Sequence, residues 1–363
     1  MRIGILTPHF SFNYGAVLQA FALKTYIQSL GHDAILINRR PERLCAIPSK
    51  LGRLARFIEE LAKQKSFGIF EKKHLQPQTN LIVKQSDWKL FPSFKLDAVI
   101  VGSDQVWRDD YVFNSFGFNL FLDFTQGYNV KRIAYAPSLG KNSWNASKDV
   151  EEKVKKLLHK FDAISVREDT SINILKYKFG VEAQLVLDPT MLLTSQDYIK
   201  KLGIETKSNT TEFAASYILD YDDNYKEILR NISNKLNIKI KGINIKNPKN
   251  KIEEFIIRFS SMKPVTEWVS NIANAKYVIT NSFHGMVFSI IFRKQFIVFM
   301  NSKRGAERFN SLLKMFKLED RLIIDHTEDY ISTLITRIDY NLINDLIKTN
   351  KQKSSDFIHN SLA

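Results

Sequence analysis

A chain of 363 residues is long for one hydrophobic core, so two domains are expected. With 44% hydrophobic residues, 25% charged residues and 26 phenylalanines it carries ample core, which excludes a disordered chain. Lysine and arginine total 53 against 38 aspartates and glutamates; the net charge of +15 implies an anionic partner, and the lack of zinc-finger spacing, an RNP-like aromatic motif or a long basic block argues against nucleic acid.

Near the N-terminus RIGILT reads as a buried strand and GAVLQAFALKTYIQSLG as a helix, with Val17, Ala20, Phe21 and Lys24 stepping round one turn and Gly31 as the stop. Asn13, Tyr14 and Gly15 form the turn between them. Gly15 lets backbone approach a ligand and the turn's free amides suit phosphate or sugar hydroxyls, although a tight turn without a ligand fits nearly as well. DAILIN is the next strand, so the chain opens with strand, helix, strand, the unit of a parallel, doubly wound layer. Leu51, Leu54, Ile58 and Leu61 then follow amphipathic helical spacing on a basic background; packing on the domain is preferred here to resting on an anionic membrane.

Further strands follow in DAVIVGSD, RIAYAPS, DAISVRED and AQLVLDP, with a helical stretch at 168 to 179. LDPTMLLTSQDYIKKLGIETKSNTTE reads as strand end, turn and polar linker, which sets the boundary near 190 to 210. A second strand set begins near residue 212 with EFAASYILD, IKIKGINI, AKYVITNS and QFIVFM. The domains are therefore expected at 1–195 and 196–335, with a tail at 336–363 of one or two short polar helices.

Each apolar strand runs at its carboxyl end into small or polar residues: TPHFSFNYG, GSDQVW, APSLG, VRED, DPT and TNSFHG. In open α/β sheets ligands bind at those carboxyl ends. There His284 opens an apolar helix, where the dipole favours a bound anion, and the ring can exchange a proton with a substrate or merely cap the helix. Asp104, after Gly102 and Ser103, can accept from a sugar hydroxyl, orient a histidine or cap a turn. Arg167 suits bidentate binding of a carboxylate or phosphate, or a salt bridge to Glu168 or Asp169. Lys303, Arg304 and Arg308 form a basic cluster after the last strand, with Arg304 and Arg308 on one helix face; they read as an anion clamp or as a solvated face. No cluster has metal-ligand spacing and neither a GxSxG nor a Walker sequence occurs.

Taken together, NYGAVLQAFAL, DAVIVGSDQVW, RIAYAPSLG, SVREDTSINIL, LDPTMLL, ITNSFHG and RFNSLL resemble, in order and spacing, the polysaccharide pyruvyltransferase family from about residue 13 to about 321. The resemblance implies two facing Rossmann-like α/β domains of the glycosyltransferase-B type with an interdomain cleft. It also implies transfer of pyruvate from phosphoenolpyruvate onto a sugar hydroxyl pair as a cyclic ketal, on a surface-polysaccharide precursor, often lipid-diphosphate-linked, in a bacterial capsule, exopolysaccharide or O-antigen pathway. By position, His284 matches the family's catalytic histidine, Arg167 its donor-binding arginine and Asp104 a cleft carboxylate. Ser282 and Gly285 are assigned with Arg167 to the donor side, and Asn13, Tyr14, Gly15, Ser103, Gln105, Trp107 and Ser138 to the acceptor side. Many members carry Arg-Leu-His where this chain has Ser282-Phe283-His284, so Lys303, Arg304 or Arg308 is expected to replace the arginine. The chemistry so implied requires no metal or redox cofactor.

Two other readings remain: a nucleotide-sugar glycosyltransferase of the same architecture, and a non-catalytic carbohydrate- or membrane-binding protein that keeps the fold. The opening MRIGILTPHFSF lacks the apolar core of a signal peptide, no apolar run approaches the roughly 20 residues of a membrane span, and Cys45 is the single cysteine. A cytoplasmic protein is expected, with peripheral contact at the inner face of the cell membrane left open.

Overall fold

The strands form because short β-branched and apolar runs, buried on both faces, satisfy their backbone only in a covered parallel sheet. In the computed structural model, which describes residues 1–10, 13–41, 67–110, 116–206, 212–246, 262–301, 305–325, 327 and 329–363, two such sheets form. Outside the described residues lie Cys45, the amphipathic stretch at 51–61, and Lys303 and Arg304.

The first sheet contains β1 (Arg2–Leu6), β2 (Asp33–Leu36), β3 (Ala98–Val101), β4 (Lys131–Ala134), β5 (Ala163–Val166) and β6 (Gln184–Leu185) in the order β2-β1-β3-β4-β5-β6. All pairs are parallel. Its helices are α1 (Tyr14–Ser29), α2 (Phe67–His74), α3 (Lys148–Leu158) and α4 (Asp169–Ile174), the last continued by a π turn at Leu175–Phe179. Next comes α5 (Ser195–Leu202), inside the stretch read from sequence as linker. It is held by a capping box, in which the Thr194 hydroxyl accepts from the Asp197 amide at 3.1 Å while the Asp197 carboxylate accepts from the Thr194 amide at 2.8 Å.

The second sheet contains β7 (Phe213–Tyr221), β8 (Lys239–Lys246), β9 (Tyr277–Thr280), β10 (Gln295–Phe299) and β11 (Leu322–Ile323), parallel in the order β11-β10-β9-β7-β8. It is flanked by α6 (Asp223–Leu236), α7 (Val265–Asn274), α8 (Phe283–Ile291), α9 (Glu307–Phe316) and α10 (Tyr330–Ile335). The fold is thus two parallel-sheet α/β layers of the Rossmann-like, glycosyltransferase-B kind.

One core runs through both layers. Tyr14 stacks on Trp268 with ring centroids 5.2 Å apart, and its hydroxyl donates to the Lys263 carbonyl and accepts from the Lys263 amide, each at 2.9 Å. The tail is one 23-residue helix, α11 (Tyr340–Leu362), rather than short polar pieces. Its buried face, with Ser354, Phe357 and Ile358, returns to the first sheet, where the Ser354 hydroxyl accepts from the Leu187 amide at 2.9 Å and Ser355 meets the Tyr26 hydroxyl at 2.6 Å. Polar residues along its outer side hid that face from a count of composition. No helix among the described residues is long and apolar enough to cross a membrane.

Candidate active site

Four strand ends deliver the charged groups. β3 hands the chain to Gly102, Ser103 and Asp104, β5 to Arg167 and Glu168, β6 to Asp188, and β9 to Asn281, Ser282 and α8. Asp104 holds a left-handed backbone (φ 82°), uncommon for a residue with a Cβ. Its carbonyl accepts from the Val106 amide at 2.8 Å and the Ser138 amide at 2.9 Å, which locks the turn. Its side chain, one-fifth exposed, lies with Oδ1 3.6 Å from Arg167 Nη2.

Arg167 is buried, with 1% of its side chain exposed. Nη1 donates to Asp188 Oδ2 at 2.8 Å and to Ser103 Oγ at 3.3 Å, while Nε lies 3.8 Å from Glu168 Oε2. Nε and Nη2 have no hydrogen-bond partner. The guanidinium lies over the Phe283 ring, 4.5 Å from its centroid, and Arg308 of α9 approaches the same ring at 5.2 Å. Glu168 is fixed on its other oxygen, which accepts from the amides of Leu139 and Gly140 and from the Ser171 hydroxyl at 2.9, 3.1 and 2.7 Å.

Asp188 joins the two layers. Oδ1 accepts from the Thr190 amide at 3.0 Å and hydroxyl at 2.6 Å, and Oδ2 accepts from Arg167 and, at 3.0 Å, from Ser103. Burial pushes this carboxyl up, but His284, Arg167 and the Thr190 bonds outweigh it and hold the group far below the usual carboxylate range. His284, in the first turn of α8, brings Nε2 to 3.6 Å from Asp188 Oδ2 and has no hydrogen bond there. Its ring rests on the backbone of Gly15, where a Cβ would stand 2.0 Å from Nδ1. Gly285 allows a second close approach, since a Cβ there would meet the Thr280 hydroxyl at 2.2 Å.

The structure therefore links His284, Arg167, Asp104 and Ser103 in one network through Asp188, with Gly15 against the His284 ring and Arg308 on the Phe283 ring that Arg167 also covers; Ser282 and Gly285 flank His284 in the chain, where the Ser282 amide and Gly285 both meet the Thr280 hydroxyl. Gln105 and Ser138 stand at its edge, on the turn beside Gly140 and Gly305. Three residues assigned to the acceptor side are engaged elsewhere. Asn13 accepts from the Gly15 and Ala16 amides at 2.9 and 3.3 Å, so those amides are not free as expected. Tyr14 is the interlayer latch described above, and Trp107 is a core residue whose indole donates to the Leu120 carbonyl at 2.8 Å and stacks on Phe121. Sequence reasoning gave no role to Asp188 and treated Glu168 only as a partner for Arg167, although both bear the strand-end signal that singled out Asp104. Among the described residues no three His, Cys, Asp or Glu side chains gather as a metal-binding group.

Two guanidinium nitrogens and one imidazole nitrogen, all buried and none in a hydrogen bond, thus stand around one carboxylate. It lies where the carboxyl ends of two Rossmann-like sheets meet, the arrangement of glycosyltransferase-B-like proteins. Solved structures agree on the fold. A UDP-GlcNAc 2-epimerase from Methanocaldococcus jannaschii aligns with TM-score 0.53 at 14% identity, over 92% of this chain and 91% of that one. One from Neisseria meningitidis bound to UDP-GlcNAc aligns with 0.51 at 10% identity, over 97% and 100%. A putative UDP-N-acetylglucosamine 2-epimerase from Listeria monocytogenes aligns with 0.51 at 10%, over 98% and 90%. No curated protein matches the chain in sequence. The family model for polysaccharide pyruvyl transferase matches residues 13–303, and the chain belongs to that family.

Proposed function

We propose that this protein moves the pyruvyl group of phosphoenolpyruvate onto two hydroxyls of a sugar acceptor as a cyclic ketal. The observation that carries the reading is the buried Arg167 guanidinium, whose Nε and Nη2 make no hydrogen bond, beside Nε2 of His284, which makes none either. A compact polyanion supplies acceptors for all three, and Arg308 across the Phe283 ring offers a second guanidinium. Of Lys303, Arg304 and Arg308, expected to replace an arginine at the Ser282 position, Arg308 is the one among the described residues, and this reading gives it that role.

In this reading protonated His284 delivers its proton to the methylene carbon of the donor, and the adjacent carbon becomes cationic. One sugar hydroxyl attacks that carbon, phosphate leaves with its bridging oxygen, and a second hydroxyl closes the ketal. Of the two hydroxyl protons released, one restores the imidazolium and the other leaves on phosphate; Asp104, at the exposed edge of the site, is placed to relay them. The net charge of +15 suits an acceptor carrying a lipid diphosphate, presented to a cytoplasmic protein at the inner face of the membrane.

The test is phosphate release from phosphoenolpyruvate across a panel of lipid-diphosphate-linked sugars, with UDP-GlcNAc as the alternative donor. Acceptor-dependent phosphate release with a product heavier by one pyruvyl ketal supports the reading. Sugar transfer from UDP-GlcNAc without phosphoenolpyruvate turnover replaces it by a glycosyltransferase, and acceptor binding without turnover of either donor by a carbohydrate-binding protein.

A further inference from the structure

Asp188 occupies an unusual position for a buried carboxylate. Both oxygens are committed within its own layer, Oδ1 to the Thr190 amide and hydroxyl and Oδ2 to Arg167 Nη1 and Ser103 Oγ, so its plane cannot rotate. The residue before it is pinned as well. The Leu187 amide donates to Ser354 of α11, and the Leu187 carbonyl accepts from the Tyr135 hydroxyl at 3.0 Å. To this fixed carboxylate the other layer brings the imidazole of His284, with Nε2 3.6 Å from the oxygen that also holds Arg167. At 3.6 Å the contact is too long for a hydrogen bond, and burial leaves the field of the carboxylate at the ring little screened.

Such an arrangement is poorly explained by stability alone. Buried ion pairs often contribute no more than apolar residues of the same volume, because both charges lose their hydration. What the pair does achieve is geometric. One oxygen sets the position of the anion-binding guanidinium and of the proton-donating ring, although they belong to different sheets. We infer that Asp188 is a positioning residue that holds the Arg167 guanidinium and the His284 ring in mutual register across the layers, so that a bound anion meets a guanidinium and an oriented imidazole together. Asp188 itself touches no substrate. Its lone pairs are committed to Thr190, Arg167 and Ser103, which prevents it from taking the transferred proton. Glu168, the other buried carboxylate beside Arg167, does not share this role, because its bonds tie it to the Leu139–Gly140 turn.

The inference rests on the proposed donor chemistry only for its kinetic arm, and the experiment separates the two. Protein with ¹⁵N-labelled histidine, free of donor, is examined as wild type and as Asp188→Asn, with the His284 ring signals assigned by their loss in His284→Gln. The expected result is a displaced His284 ring signal in Asp188→Asn with the other histidines unmoved; an unmoved His284 signal overturns the inference. In the kinetic arm, read as phosphate release from phosphoenolpyruvate, Asp188→Asn lowers kcat by about 10²-fold, the low end of what a general acid contributes. The donor KM stays within about threefold, because binding nitrogens remain while the oriented charge is lost. Asp188→Glu restores charge but not fit, and it recovers part of kcat. Should both variants lose kcat and melting temperature in parallel, Asp188 is a packing residue and the inference falls. Ser103→Ala removes one bond to Oδ2 from a small, buried side chain and tests the same geometry if the Asp188 variants do not fold. A modest kcat loss without a KM change supports the inference, and unchanged kcat counts against it. If wild type turns over no phosphoenolpyruvate, the spectra still decide the role of Asp188, and only the donor reading fails.

Discussion

The ring of His284 lies against the backbone of Gly15 so closely that a Cβ at residue 15 would stand 2.0 Å from Nδ1. Real Cβ atoms essentially never stand that close, so a side chain there must displace the imidazole or the turn beneath it and disturb the contact with Asp188. Gly15→Ala is therefore expected to leave α1 folded, since alanine favours helix, yet to lower kcat by at least about tenfold. A Gly15→Ala protein with wild-type turnover would show that the ring has room to retreat and that its observed position is not the working one.

If His284 delivers the proton, His284→Gln should retain fold and much of the donor binding while losing turnover, because an amide hydrogen-bonds but cannot give up a proton at neutral pH. General acids contribute about 10² to 10⁴-fold, so the loss should appear in kcat at that scale rather than in KM. A residual rate above roughly a tenth of wild type, with melting temperature unchanged, would reduce the histidine to a helix-terminal contact.

Arg167 has to be tested with its charge kept. Arg167→Ala leaves Asp188 and Glu168 buried without their cation, a defect that typically costs about 3 to 5 kcal/mol and confuses binding with folding. Arg167→Lys retains the cation but not the planar fork. Loss of one charge-assisted contact removes about 1.5 to 3 kcal/mol, so donor KM should rise roughly tenfold to a hundredfold with only a small drop in melting temperature. Unchanged donor affinity would remove Arg167 from the donor site.

The sequence reveals more of the strands than of the contacts between layers, for a physical reason. Apolar runs such as AVIV at β3 and QFIVF at β10 have no stable fate but a covered strand, and a helix starting at Phe283 follows from the break at TNS. The polar ends of the same strands marked Asp104, Arg167 and His284. Tertiary partners carry no such local signature. Nothing in the sequence says that Tyr14 stacks on Trp268 instead of facing a ligand, or that Trp107 is walled in by Phe121. Asp188 was overlooked because Pro189 suggested a turn, and α5 because its charged outer face masks two buried anchors, Tyr198 and Leu202. The Thr194-Ser-Gln-Asp197 box was the available signal for that helix.

His9, at the end of the first strand segment, gives a pH dependence of stability. Burial lowers its pKa from the ordinary imidazole value, against the opposing bond in which Nδ1 donates to the Thr7 carbonyl at 2.8 Å. A depressed folded-state value means that the unfolded chain binds the extra proton first. The contribution of neutral His9 is thus fully present above the unfolded value of about 6.5 and declines as pH falls below it. Denaturant midpoints should decrease between pH 7.5 and pH 5.5, and His9→Asn, which can still donate to Thr7 but does not titrate, should flatten that slope. An identical slope in the variant would assign the pH dependence to other groups.

The C-terminal helix supplies the last expectation, because it bears on the site without entering it. Ser354 Oγ is the acceptor for the Leu187 amide, one residue before Asp188, and it also donates to the Asn350 carbonyl at 2.7 Å. Ser354→Ala strands a buried amide, which costs about 1 to 3 kcal/mol. It also frees the strand end that carries Asp188 and so loosens the carboxylate that faces Arg167 and His284. Stability should fall by that amount in denaturant titrations, and kcat should fall further than donor KM rises, since the anion contacts survive while their register does not. The neighbouring Ser355→Ala separates this effect from damage to the helix. Its hydroxyl meets Tyr26 in a partly buried contact far along the chain from Leu187, so it should cost less stability and leave kcat unchanged. Equal kinetic losses in the two serine variants would mean that α11 supports the first layer as a whole and has no particular hold on Asp188.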